Sequence, residues 1–322
     1  MTQKETTIEF NKFQSFFYLD WCVISDLAPL IKNINDKKYK SKNIICDLLS
    51  NLLFNENYCF PYSTGHIQDI SRGNGEKHKK HEINATALLH NFFRGWRISE
   101  HSINKEMVRV DKCFDLYEEV EKAKKTKSFV QETQDFCWSL IKPTLNTIIN
   151  TQNSINPKNI LPNDFVNSWD DFIHFSFNSI INNPLEKKRE LTEKILFMNK
   201  IDMIQFINNK LEKSNYTFKS IEGYDKFHTD KFDKNISKFS SNINKIVNLS
   251  DIIGLTHEKN NQKTFPQNLL TDTTTHLNLG LRADAFFTKD TQLVYKAILC
   301  KKLLDLPVII YHVKDDKCYL YK

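Results

Sequence analysis

Residues Thr271–Ala297 read TDTTTHLNLGLRADAFFTKDTQLVYKA, and this stretch decides the fold. Asp272 opens a helical pattern, TTTHLNLGLRA, that runs into AFFT, four residues with strand character ending at Lys289 and Asp290. KDTQLVYKAILCKKLLDL then has the apolar spacing of an amphipathic helix. LPVIIYHV follows as a buried strand, with Pro307 at its start, where a missing amide is tolerated. A helix, a strand, a helix and a strand in so short a span predict a parallel α/β sheet.

The other end of the chain has the same alternation. Phe16–Leu19 is a short aromatic strand running into Asp20, and Asn43–Asn55 (NIICDLLSNLLFN) has helical spacing. Tyr58–Pro61 reads as a second strand. In PYSTGHIQDISRG, Ser63 or Thr64 is placed to cap a helix carrying His66 and Asp69.

Between these ends the pattern is almost wholly helical and rich in Asn and Lys, with breaks at Pro143, Pro157, Pro162 and Pro184. Phe129–Ile149 and Leu191–Leu211 show helical apolar spacing. Ser214–Ser241 is polar and interrupted by aromatics. The expected organisation is an α/β core assembled from residues 1–75 and 266–322, interrupted by a mostly helical insertion over 76–265.

Composition narrows the function. The 322 residues carry a formal charge of +6, a mild excess compatible with a nucleic-acid partner and with many other partners. With 40% hydrophobic residues the chain can bury a core, so disorder along most of it is not expected. There is no GxGxxG and no GxxxxGK[ST], which excludes those two nucleotide cradles. Apolar runs fall well short of about 18 residues, so no membrane span is expected. The first residues lack the apolar stretch of a signal peptide. Seven cysteines without a CxxC pair suit reduced thiols and a cytoplasmic location.

Four aspartates fall at strand ends or helix starts, where α/β sheets bind ligands: Asp20, Asp69, Asp272 and Asp290. Carboxylates crowded together repel one another unless a divalent cation lies between them, and hard oxygen ligands suit Mg²⁺ or Mn²⁺. Each has an ordinary reading beside this one. Asp20 can be a turn residue, Asp69 a surface charge, and Asp272 and Asp290 helix caps.

Together these segments resemble the PIN-like nucleases. YLDWCVISDL is similar to the opening strand with its first acid, and PYSTGHIQDI to the second acidic segment of large PIN-like proteins. TDTTTHLNLGLRADAFFTKDTQLVYKA resembles the closing unit. The resemblance covers about 130 residues and leaves the helical middle without a counterpart. It implies metal-binding, catalytic acids at Asp20, Asp69, Asp272 and Asp290, with Thr288 as the small hydroxyl residue before the last acid. It also implies a divalent-metal-dependent nuclease, with RNA favoured over DNA, in the style of toxin–antitoxin or phage-defence effectors. A protein regulator or antitoxin would dock on the insertion.

Secondary expectations attach to neighbouring residues. His276, four after Asp272, is placed to contact substrate phosphate or orient a carboxylate, with a half-buried structural role standing equally beside these, and His66 is read in the same way. Asp26 is close enough to Asp20 to reach the site, and Asp284 reads as a turn residue. Between Arg72 and Arg97, six basic residues, Lys79 and Lys80 among them, face two acids. They offer a backbone-binding face, with Phe92, Phe93 and Trp96 as stacking groups. The stronger reading of ALLHNFF is the core side of a helix. Two competing functions remain. One is a metal-free HEPN-type ribonuclease using Arg94 and His101 (RGWRISEH), and the other is a PIN-like scaffold without catalysis.

Overall fold

The computed structural model describes residues 6–8, 15–32, 49, 52, 55, 57–71, 76–98, 107–109, 115–125, 194–213, 239–252, 272–314 and 317–322. The expected helices over Asn43–Asn55, where only Leu49, Leu52 and Asn55 are described, and over Phe129–Ile149 lie outside these residues, as does most of Ser214–Ser241.

The elements are β1 (Thr6–Ile8), β2 (Ser15–Leu19), α1 (Trp21–Lys32), β3 (Tyr58–Cys59), α2 (Thr64–Ser71), α3 (Glu76–Phe92), β4 (Trp96–Ile98) and β5 (Met107–Arg109). A helix over 115–125, α4, follows. The remainder are α5 (Lys200–Lys213), α6 (Phe239–Ile252), a π-helical turn (Asp272–Leu277) continued by Asn278–Gly280, β6 (Ala285–Thr288), α7 (Thr291–Leu304), β7 (Ile309–Lys314) and β8 (Lys317–Tyr321).

The main sheet has the order β3-β2-β6-β7-β8. The first four strands are parallel, and β8 returns antiparallel to β7. Parallel strands need cover on both faces, so their sequences lose the polar alternation of an exposed sheet. AFFT is buried at all four positions for this reason. Phe16, Tyr18, Phe286 and Ile310 face one core with α5, α6, α7 and the π-helical turn. Leu19, Ala285, Phe287 and Val313 face a second core with α1, α3 and α4. Gly280 lets the turn after the π-helix lie flat on the sheet. A Cβ there would stand 2.7 Å from the Phe286 ring.

Two findings depart from the sequence reading. The stretch expected to be nearly all helical contains β4 and β5, three residues each. They join β1 in an antiparallel trio, β1-β5-β4. Tyr62, just past β3, bridges Arg97 in parallel, donating its amide to Trp96 O at 3.0 Å and accepting from Ile98 N at 2.9 Å. β4 thereby extends the main sheet beyond β3. Three-residue strands carry too little periodicity to register. The second departure is within Leu191–Leu211, where the helical pattern is broken at Asn199. Asn199 Oδ1 accepts the Asp202 amide at 2.9 Å and caps α5.

Candidate metal centre at the strand ends

Asp20 follows the last residue of β2, and its amide donates to Phe287 O at 2.9 Å, which ties the end of β2 to β6. Its carboxylate is buried and fixed on one oxygen. Thr288 Oγ1 donates to Asp20 Oδ2 at 2.6 Å, and Cys22 Sγ donates to the same oxygen at 3.0 Å. Burial, and next the Asp20 charge, push the Cys22 thiol well above its ordinary pKa, which keeps it a protonated donor. With Oδ2 held by two donors, Asp20 keeps Oδ1 as its second acceptor.

Asp69 and His276 come from two helices that meet beside Asp20. Asp69 lies on α2, and His276 on the π-helical turn. His276 Nε2 is 3.0 Å from Asp69 Oδ2. On its other side His276 Nδ1 is 2.9 Å from the Tyr18 hydroxyl, which is 2.8 Å from Ser63 Oγ. The contact depends on Gly65, where a Cβ would stand 2.9 Å from His276 Cε1 and 3.0 Å from Nε2. Among the described residues, Asp20, Asp69 and His276 offer one ligand atom each within 4.8 Å of one another.

His66 is placed differently. Its Nδ1 accepts the Ser63 amide at 2.9 Å, so Nε2 carries the proton, which it donates to Leu19 O at 2.6 Å. Burial, and next the neighbouring His276, lower its pKa to about 4. His66 is a neutral strut between β2 and α2, not an orienter of Asp69.

Of the four expected acids, three have described side chains. Asp20 and Asp69 converge. Asp290 is not one of that trio; its Oδ1 accepts the Gln292 and Leu293 amides at 2.7 and 3.2 Å and caps α7. Its own amide donates to Thr288 Oγ1 at 3.0 Å, one hydrogen bond from Asp20. Asp272 opens the π-helical turn, and its side chain lies outside the described residues. Thr288 is fully buried and holds Asp20. His276, expected to contact substrate or orient a carboxylate, stands with Nε2 3.0 Å from Asp69 Oδ2.

The flanking expectations resolve as follows. Asp26 pairs with Lys289 at 2.6 Å, so the lysine beside Asp290 is drawn toward Asp26. Asp284 Oδ2 accepts the Phe16 amide at 2.7 Å and pins the start of β2. Lys79 and Lys80 are exposed on α3, and Arg97 pairs with Glu119 at 2.5 Å. Phe93 is buried in the core with α1, α3 and α4, and half-buried Trp96 packs against the other core. Arg72 and His101 lie outside the described residues. Cys22, Tyr18 and Gly65 were not singled out from the sequence, and Ser63 only as a helix cap. Gly65 carried a signal, since glycine inside a helix marks close approach.

No family model matches this chain, and neither a curated protein nor a solved structure does. No helix among the described residues is long and apolar enough to cross a membrane.

Proposed function

We propose that the chain is a PIN-like, divalent-metal-dependent nuclease with RNA as its favoured substrate. The observation that carries this reading is the convergence of Asp20 and Asp69, 49 positions apart in sequence, with His276 at the C-terminal edge of parallel strands. That edge is where open α/β sheets bind ligands. The mainly parallel five-stranded sheet flanked by helices is compatible with that reading.

The donor set fits a divalent cation. Octahedral ligands at about 2.1 Å stand about 3.0 Å apart when adjacent, and His276 Nε2 and Asp69 Oδ2 are 3.0 Å apart. A cation there supplies Lewis-acid charge stabilisation and a more acidic water at a phosphodiester. The protein's part is positional. Thr288 and Cys22 keep Asp20 in one rotamer, Tyr18 holds the back of His276, and Gly65 brings α2 up to the π-helical turn. Exposed Lys79 and Lys80 are available to phosphates by counterion release. A role in toxin–antitoxin or phage defence, with a regulator on the residues between the core segments, belongs to the same proposal by resemblance.

The scaffold reading has one observation in its favour, the use of Asp290 as a helix cap. Purified protein should cleave single-stranded RNA with Mn²⁺ or Mg²⁺, stop with chelator, and stop in Asp20→Asn. Cleavage that survives chelator and vanishes in His101→Ala would replace this reading with the metal-free one. No cleavage by a folded, metal-loaded protein would favour the scaffold.

A further inference from the structure

The geometry points to a site selective for a first-row transition cation such as Mn²⁺ over Mg²⁺, with His276 Nε2 as a direct ligand beside Asp20 and Asp69. This inference rests on the metal reading above and specifies the ion. Mg²⁺ prefers all-oxygen surroundings and parts with water reluctantly, whereas imidazole suits transition cations. A ring placed only to orient Asp69 would need no particular support behind it. His276 has that support. It is 1% exposed, Tyr18 engages its Nδ1, and it sits on a π-helical turn, a rare geometry frequent at functional sites. Metal-bound histidines characteristically have the second ring nitrogen fixed by a hydrogen bond.

The surrounding network can accommodate the change without leaving a group unsatisfied. With Nε2–H donating to Asp69, Nδ1 accepts from the Tyr18 hydroxyl. When Nε2 turns its lone pair to an ion, the proton resides on Nδ1 and is donated to Tyr18 Oη. The Tyr18 proton then points to Ser63 Oγ, whose hydroxyl can share His66 Nδ1, at 3.2 Å, with the Ser63 amide. Only the tautomer and two hydroxyl rotors change.

The test uses the full chain, stripped with chelator and titrated separately with Mn²⁺ and Mg²⁺ by calorimetry. Electron spin echo modulation of the Mn²⁺ complex reads nitrogen coordination directly. Mn²⁺ is expected to bind about tenfold or more tightly than Mg²⁺, with a nitrogen modulation in the spectrum. His276→Asp should bring the two affinities within about threefold and remove the modulation. Equal affinities and no nitrogen modulation in the wild type would overturn the inference while leaving a metal-dependent nuclease standing. Binding of neither ion would overturn both. Should His276→Asp fail to fold, the wild-type spectrum alone decides.

Discussion

The two histidines beside Asp20 share burial and surroundings, yet they differ in what their nitrogens face. His66 and His276 have ring centroids 5.4 Å apart, and both are almost wholly buried. His66 has both nitrogens on main-chain groups, Ser63 N–H and Leu19 C=O, so it belongs to the scaffold. His276 has both nitrogens on side chains, Asp69 and Tyr18, which can rearrange. A histidine fixed to the backbone holds elements together, and one held by side chains can exchange partners. The same division separates the acids. Asp290 serves main-chain amides, whereas Asp69 faces another side chain.

The division makes its largest claim at the acids. Asp20→Asn or Asp69→Asn should each lower cleavage by about a thousandfold or more, since each removes a carboxylate from the proposed cation. Melting temperature should change little beside that loss. Cleavage in either variant within tenfold of wild type would break the comparison at its centre.

Gly65 comes next, because it sets the distance between α2 and His276. Gly65→Val should cost about 1–3 kcal/mol by overpacking and weaken Mn²⁺ binding by about tenfold or more as the ring is displaced. Gly280→Val, packed on Phe286, should cost similar stability and leave Mn²⁺ affinity unchanged. Denaturant unfolding and calorimetry on the pair separate local packing from the site.

His66 should show its scaffold role in the pH dependence of stability. Its pKa falls from 6.5 to about 4 on folding, so the unfolded chain binds the proton more tightly. Stability is then greatest above about pH 6.5 and falls as the pH drops toward 4, by about 3 kcal/mol in total, before levelling off. Urea titrations between pH 4 and pH 7 should give a shallower slope for His66→Gln than for wild type. An unchanged slope would show that the ring is not the buried neutral group described.

The smallest effect belongs to Asp290. As a cap, Asp290→Ala should cost about 1 kcal/mol, and Asp290→Asn should restore most of it because Asn caps equally well. A stable Asp290→Asn protein that has lost its cation would make Asp290 a ligand and sharpen the boundary of the site.

Much of this was legible from local pattern. Phe16–Leu19 and AFFT read as strands because fully covered parallel strands are continuously apolar. KDTQLVYKAILCKKLLDL read as a helix from its apolar spacing, and Asp20 could be placed at a strand end from its neighbours alone. Other features left no local trace. β8 was not expected, since KCYLY owes its strand to pairing with β7, and β4 and β5 were missed because three residues show no period. The cap at Asp290 was one of two readings, and the amides of Gln292 and Leu293 show that it is made.

The sequence by itself determined the alternation of strands and helices at both ends of the chain and the acids at the strand ends. Periodicity and capping act over a few residues and leave their mark there. The tertiary structure decided which acids meet, that His276 joins them and His66 does not, and that β4 extends the sheet through Tyr62. Those choices rest on contacts between residues far apart in sequence, such as His276 with Asp69 and Tyr18. No local window contains both partners.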